Sequence, residues 1–253
     1  MIHNPETAHL VHACFEALAM FVGARYYFAL RRRDASVPAL IGHAYWILFG
    51  CLLGAGIGNK LVFAVEWPQL FTQQNFWGEI WAGQSMVGGL LGGLLGTEIA
   101  KRLCHEYRST GDLFVGPILL ALSIGRIGCF LAGLNDGTYG IATSLPWGID
   151  LGDGIARHPT QLYEIVFALM LWWILLRTAS RFATVPGLQF KIMTFAYILW
   201  RLLIDSLKPV PYIYPLGLSG IQWVCLAALF VYTPFLLSSL KGLRRALNHQ
   251  PTA

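Results

Sequence analysis

The sequence predicts an all-α, polytopic membrane protein: seven transmembrane helices, the N-terminus outside and the C-terminus inside. Three observations carry this. Of 253 residues, 56% are hydrophobic and 12% charged, against roughly 25% charged in soluble domains, and the mean hydropathy is +0.56. Seven apolar stretches recur, at roughly 9–30, 39–65, 81–100, 113–134, 162–179, 187–206 and 217–240. Most have the ~20 residues that cross ~30 Å of hydrocarbon. Finally, the basic residues alternate. Arg31–Arg33, then Lys101, Arg102 and Arg108, then Arg177 and Arg181, then Lys241, Arg244 and Arg245 fall in every second connection. The other connections hold Arg157 and Lys208 beside Glu66, Glu79, Asp136, Asp150 and Asp153. Basic loops stay inside, and an odd number of spans agrees with termini on opposite sides. The net charge of +5 is therefore a topology signal with some attraction for anionic headgroups, and nucleic acid is not an expected partner.

Taken in order, the first stretch follows MIHNPETAH, which lacks the basic region of a cleaved signal peptide, so it is expected to stay as a helix. Glu16 lies in its outer half. The second stretch is long enough to tilt and carries Lys60 near its outer end. In the third, Gly88, Gly92 and Gly96 recur every four residues, a spacing that lets a neighbouring helix approach closely. The competing reading is that bare backbone at Gly88 and Gly89 lines a headgroup site. The fourth stretch holds Arg126 in its outer half, where a charge costs at least ~2.5 kcal/mol on insertion scales. The outer loop 135–161, rich in Gly and Asp, opens on the turn signals Asn135, Asp136 and Gly137. A loop of that length is commonly a lid or binding element, and Leu145-Pro146-Trp147 suits the headgroup level. The fifth stretch begins with Pro159 at its first helical position, which puts Gln161 and Glu164 in the first turns. In the sixth, Arg201 and Asp205 are four apart and share a helix face. No long internal repeat is visible, which weakens a secondary-transporter reading. The chain reads as one membrane-embedded domain, 1–253.

The five cysteines, Cys14, Cys51, Cys104, Cys129 and Cys225, sit in spans or at their ends, so no disulfide framework is expected. No CxxC or metal-ligand spacing is present, and neither a metal nor a cofactor is expected.

The depths converge. Arg126, Arg201, Lys60, His158, Glu164 and Asp205 all fall at the outer level. Isolated structural ion pairs, Arg201 with Asp205 or Arg126 with Glu164, are the simplest account. A cluster this dense reads instead as a functional site. Two guanidiniums match phosphate oxygens in bidentate fashion and stabilise charge on a departing phosphate. His158, Glu164 and Asp205 are the candidate proton acceptors. The arrangement suits a lipid-headgroup transferase; no pore ring, Ser elbow or hydrolytic triad is visible.

Three motifs, Gly125-Arg126-Ile127-Gly128-Cys129-Phe130, Arg157-His158-Pro159-Thr160-Gln161-Leu162-Tyr163-Glu164 and Arg201-Leu202-Leu203-Ile204-Asp205, resemble those of the bacterial prolipoprotein diacylglyceryl transferases, over most of the chain up to about Trp223. The resemblance implies a seven-helix inner-membrane enzyme with its active site facing outward. Its substrates would be phosphatidylglycerol and a prolipoprotein lipobox peptide. It would transfer a diacylglyceryl group to the lipobox cysteine thiol and release glycerol phosphate. It implies that Arg126 engages the phospholipid headgroup, that Arg201 is the second essential arginine, and that Asp205 stands where the family usually has Glu. His158, Gln161, Tyr163 and Glu164 match the family's His-Pro-(Ser/Thr)-Gln-Leu-Tyr-Glu element. Arg126, Arg201, His158, Glu164 and Asp205 are the catalytic candidates. Arg126, Gln161, Tyr163, Lys60, Gly88 and Gly89 are the substrate-binding ones.

Two departures mark a divergent branch. Met86-Val87-Gly88-Gly89 replaces the family's Phe-His-Gly-Gly, removing a histidine commonly given a catalytic role. Cys129 replaces the Asn of Gly-Arg-x-Gly-Asn-Phe. Cys129 reads as a small packing residue; a thiol forming a covalent intermediate is the sharper alternative. Two further functions stay open: transfer to a different envelope acceptor, and lipid binding without catalysis.

Overall fold

A computed structural model describes residues 2, 4–33, 43–72 and 74–248. Positions 39–42, at the start of the second expected span, lie outside the described residues, as do Met1, His3 and 249–253. Among the described residues the chain forms eight α-helices: α1 (Pro5–Arg33), α2 (Ala44–Glu66), a short α3 (Phe76–Ala82), α4 (Met86–Leu103), α5 (Val115–Ala132), α6 (Thr160–Phe182), α7 (Leu188–Ile204) and α8 (Gly220–Asn248). Seven of these coincide with the seven apolar stretches. Five helical segments, corresponding to α1, α2, α5, α6 and α8, are long and apolar enough to cross a membrane. α4 has 18 residues and ends in Glu98, Lys101 and Arg102, and α7 has 17.

Helix α1 packs mainly on α5, α5 on α6, α2 on α4 and α7 on α8. Val115, Leu119 and Leu122 of α5, Ala168, Leu171 and Leu175 of α6, and Met193 and Tyr197 of α7 form the main buried cluster. A second cluster joins Val87 of α4, Ile198 of α7, and Ile221 and Cys225 of α8. Val87 is thus enclosed by apolar side chains, where an imidazole would lose water without gaining a partner. Outward-facing positions are apolar too, with Phe230 83% and Trp46 64% exposed. That suits hydrocarbon as the surrounding solvent and would be a liability in water.

The α2–α4 contact is a double glycine seam. Gly50, Gly54 and Gly58 of α2 face Gly96, Gly92 and Gly88 of α4, and a methyl at any of the six would strike the facing backbone. Gly88 is therefore occupied by helix packing, as the spacing of four predicts, whereas Gly89 meets nothing nearer than the Ala55 carbonyl oxygen at 4.0 Å. The loop 135–161 folds tightly. Gly133–Asp136 makes a helical turn, and Ile149–Asp150 (β1) pairs antiparallel with Ala156–Arg157 (β2) in the register Ile149↔Arg157. Helix α6 begins at Thr160, two residues earlier than expected, with Pro159 at the capping position rather than inside the first turn. Helix α7 ends at Ile204, so Asp205 opens a tight 3-10 turn instead of a further α-turn.

Candidate active site

The bundle interior holds a layer of charge. Arg126 of α5 reaches Glu164 of α6, with Nε 2.8 Å from Oε2 and Nη2 donating to Oε1 at 3.2 Å. Arg201 of α7 approaches the same carboxylate from the other side, its Nη1 3.7 Å from Oε2. Arg201 Nη2 also donates to Asp205 Oδ1 at 3.4 Å. Glu164 is fully buried, and Arg126, Arg201 and Asp205 are nearly so. An apolar isostere is commonly at least as stable as a buried ion pair, so packing alone does not account for four buried charges.

Further contacts hold the layer in place. The Tyr197 hydroxyl donates to Glu164 Oε1 at 3.2 Å and lies 2.9 Å from Met86 Sδ. The Ser219 hydroxyl donates to Asp205 Oδ2, and the Ser219 amide donates to Gln222 Oε1 at 2.9 Å. Not every donor is used. Arg201 Nε and Nη1, and both amide atoms of the buried Gln161, make no hydrogen bond among the described residues. Gln161 lies three residues before Glu164 on α6, on the same helix face. Open guanidinium and amide donors in a buried layer are what an anionic headgroup requires.

Lys208, just past α7, adds to this field. It is half-buried. Burial, then the Arg201 and Arg126 charges, push its ammonium down to about 7. Desolvation is the larger cause, and the positive charge of the two arginines adds to it.

The other predicted residues lie elsewhere. Lys60 Nζ donates to the carbonyls of Trp81 at 2.8 Å and Gly83 at 2.6 Å, so it ties α2 to the α3–α4 connection and, among the described residues, joins no ion pair. His158 Nδ1 lies 3.3 Å from the Tyr163 hydroxyl, which accepts from Trp147 Nε1 at 2.8 Å. That chain pins the outer loop to α6 and includes neither arginine. Sequence reasoning left out Tyr197, Met86, Ser219 and Gln222. It also left out His12 of α1, whose Nε2 lies 3.5 Å from Cys129 Sγ; nothing in linear spacing links residues this far apart.

Comparison with known proteins bears on what such a layer does. The profile of the prolipoprotein diacylglyceryl transferases matches residues 9–237. The chain belongs to the prolipoprotein diacylglyceryl transferase family. Among relatives named phosphatidylglycerol–prolipoprotein diacylglyceryl transferase, one from Geobacter sulfurreducens is 30% identical over 166 residues, 64% of this chain and 62% of the relative. One from Nitratidesulfovibrio vulgaris is 35% identical over 161 residues, 57% of this chain and 58% of the relative. One from Actinobacillus pleuropneumoniae serotype 3 is 29% identical over 207 residues, 74% and 73%. The matches thus span about three-fifths of the length of the first two relatives. Within this family member, all four charges of the layer belong to the motifs that carried the resemblance. The departures fall at its edges: Val87 in an apolar cluster, and Cys129 one turn from Arg126, accepting from its Nη1 at 3.5 Å.

Proposed function

We propose that this chain is a phosphatidylglycerol–prolipoprotein diacylglyceryl transferase of the bacterial inner membrane. It acts as one membrane-embedded domain with seven crossings, the N-terminus outside and the charge layer in the outer half. The observation that carries the reading is the convergence of Arg126 and Arg201 on one carboxylate, with donors of Arg201 and Gln161 left open beside it.

In this reading the phosphodiester of phosphatidylglycerol enters beside Arg201 and takes its open donors, while Arg126 stays paired with Glu164. The sulfur of the lipobox cysteine attacks the glycerol carbon of the diacylglyceryl group. The carbon–oxygen bond to phosphate breaks, and the electron pair leaves on glycerol phosphate. The guanidiniums, fixed before the reaction, stabilise that developing charge at low dielectric. Glu164, itself held by Tyr197, holds Arg126, and Asp205, itself held by Ser219, holds Arg201. The His158–Tyr163–Trp147 chain sets the outer loop over the acceptor side.

The test is transfer from radiolabelled phosphatidylglycerol to a lipobox peptide by the purified chain in detergent. Lipidated peptide and free glycerol phosphate are expected, and Arg201→Ala is expected to lower the rate by roughly 10²-fold or more. No lipidated peptide from the native chain, beside an active control enzyme, overturns the acceptor. Glycerol phosphate release without peptide product supports a second reading with a different envelope acceptor, which Val87 and Cys129 motivate. Release unchanged in both Arg126→Ala and Arg201→Ala supports lipid binding without catalysis.

A further inference from the structure

Each of the three proton acceptors expected from the sequence is otherwise engaged. Glu164 lies between two guanidiniums, Asp205 accepts from Arg201 and Ser219, and His158 faces the Tyr163 hydroxyl. A histidine outside the three motifs reaches the edge of the arginine layer. His12 lies about two turns into α1. There α1 passes close to α5 at Gly128, where a methyl would strike Phe15 Cβ, and the close approach brings the imidazole to Cys129. Its Nε2 is 3.5 Å from Cys129 Sγ, and Arg126 Nη1 donates to the same sulfur at 3.5 Å. The opposite edge of the ring faces Asp136 in the turn after α5, with Nδ1 3.3 Å from Oδ1. The Asp136 side chain is 2% exposed and that of His12 27%, so the carboxylate is enclosed while the ring is reachable. The Thr138 hydroxyl donates to the other Asp136 oxygen, and the Thr160 hydroxyl at the start of α6 donates to the Thr138 carbonyl at 2.9 Å. Asp136 is thus fixed by contacts other than His12. Half-buried Glu16, one turn on along α1, places Oε1 3.6 Å from Nε2.

We propose that His12 is the base that takes the proton of the acceptor thiol, and that Asp136 is its positioning residue. The proposal rests on the transferase reading, which supplies the thiol. A thiol attacks as the thiolate, and an imidazole with a carboxylate on one edge and a sulfur on the other is the order of groups that removes such a proton. A carboxylate at Nδ1 favours the tautomer with its proton there, which leaves Nε2 bare as the acceptor. The Cys129 sulfur marks a place within 3.5 Å of both His12 Nε2 and Arg126 Nη1. An acceptor sulfur beside it would lie between the base and the layer that holds the phosphate. Cys129 is not the nucleophile in this scheme, because a thioether formed on it would not pass its lipid on. The acceptor's proton moves to Nε2 as its sulfur forms the bond to the glycerol carbon. The carbon–oxygen bond to phosphate breaks, and the electron pair leaves on glycerol phosphate, which takes the proton back from His12. No oxidant or further reactant is required. Asp136 and Glu16 share the charge that the ring carries meanwhile, and Arg126, the facing cation, meets the cluster through Cys129.

The experiment reads the tautomer and the rate separately. In the nitrogen NMR spectrum of the full chain, labelled at its histidines and held in detergent, the signal lost in His12→Gln belongs to His12. It is expected to report the Nδ1–H tautomer, and Asp136→Asn is expected to shift it toward Nε2–H. Transfer from radiolabelled phosphatidylglycerol to a lipobox peptide is then followed against pH. His12→Gln is expected to lower kcat by roughly 10²-fold or more, to leave the phosphatidylglycerol KM near native, and to remove the acidic limb of the profile. His12→Ala is expected to regain part of its rate in added imidazole, which a packing role would not produce. Asp136→Asn is expected to lower kcat by at least ~10-fold. Melting temperatures identify variants that have lost the fold. An Nε2–H tautomer in the native chain overturns the base and leaves the transferase reading intact. So does full transfer by folded His12→Gln, or a slowed His12→Gln that keeps its acidic limb. No lipidated peptide from the native chain, beside an active control enzyme, overturns the transferase reading and this role of His12 with it, whatever the tautomer.

Discussion

Two contacts between helices in this molecule solve opposite problems. The α2–α4 seam strips side chains away, with six glycines meeting so that backbone touches backbone. The α5–α6–α7 layer puts the longest charged side chains of the interior, Arg126 and Arg201, around a single carboxylate. The seam is explained by packing: between helices in lipid, close approach is itself the attraction. The layer is not, because desolvating four charges costs more than their pairing returns unless each is held by further bonds. The seam therefore supports the bundle, the layer is the proposed seat of the chemistry, and the two make different predictions.

The largest effect is expected at Glu164. Replacing it by Ala leaves two buried guanidiniums sharing no counter-ion, a loss of about 3–5 kcal/mol. Transfer is expected to vanish and the melting temperature in detergent to fall sharply. Glu164→Ala combined with Arg126→Ala should recover part of the stability and none of the activity. A double variant no more stable than the single would break the assignment of Glu164 as the shared counter-ion.

Next is the seam. Gly54→Val places a branched side chain against the Gly92 backbone, with an overpacking cost of about 1–3 kcal/mol. Stability should fall while transfer per folded molecule stays near native. A variant that stays fully stable but loses transfer would favour the headgroup reading of α4. Gly89→Ala sharpens the point. Its methyl would make only an ordinary contact, with the Ala55 carbonyl of α2 at 4.0 Å, so a change in phosphatidylglycerol KM there would assign Gly89, and not Gly88, to the site.

These contrasts also mark what was legible in the sequence. Helix positions were, because an apolar stretch of ~20 residues has few other uses. The Arg126–Glu164 and Arg201–Asp205 pairs were, because depth and i,i+4 spacing limit the partners. That one carboxylate serves both arginines was not, since the rotation of α6 between α5 and α7 is set by packing across helices. Lys60 illustrates the failure. Depth assigns it to the layer, but α2 lies on the α4 side, where its ammonium finds the Trp81 and Gly83 carbonyls instead. The α2 glycines went unread because Gly50, Gly54 and Gly58 gain meaning only from the helix opposite. The His12–Cys129 contact went unread because His12 arrives from α1, far away in the chain.

A smaller effect concerns pH. Lys208 is held near 7 by burial and by the arginines, so near neutrality it is partly uncharged. A bound phosphate would favour its proton, so phosphatidylglycerol should bind several-fold more tightly at pH 6 than at pH 8. Lys208→Met should flatten that step. Stability moves in the opposite direction. The folded chain holds this proton less tightly than the unfolded one, whose lysine titrates near its ordinary 10.5. Stability from this group therefore rises with pH between about 7 and 10.5. Thermal melting against pH, native beside Lys208→Met, checks the sign.

The smallest effect is expected at His158, although its motif is among the most specific in the chain. Its ring meets the Tyr163 hydroxyl and neither arginine, and Tyr163 is held independently by Trp147. If His158 only positions the outer loop, His158→Phe should raise the KM for the lipobox peptide a few-fold and leave kcat nearly unchanged. Tyr163→Phe, which removes the hydroxyl shared by His158 and Trp147, should reproduce that effect. A general base would behave otherwise: kcat would fall by roughly 10²-fold or more, and its acidic limb against pH would disappear. That result would place the proton acceptor on the loop, and with it the side from which the acceptor thiol approaches the arginine layer.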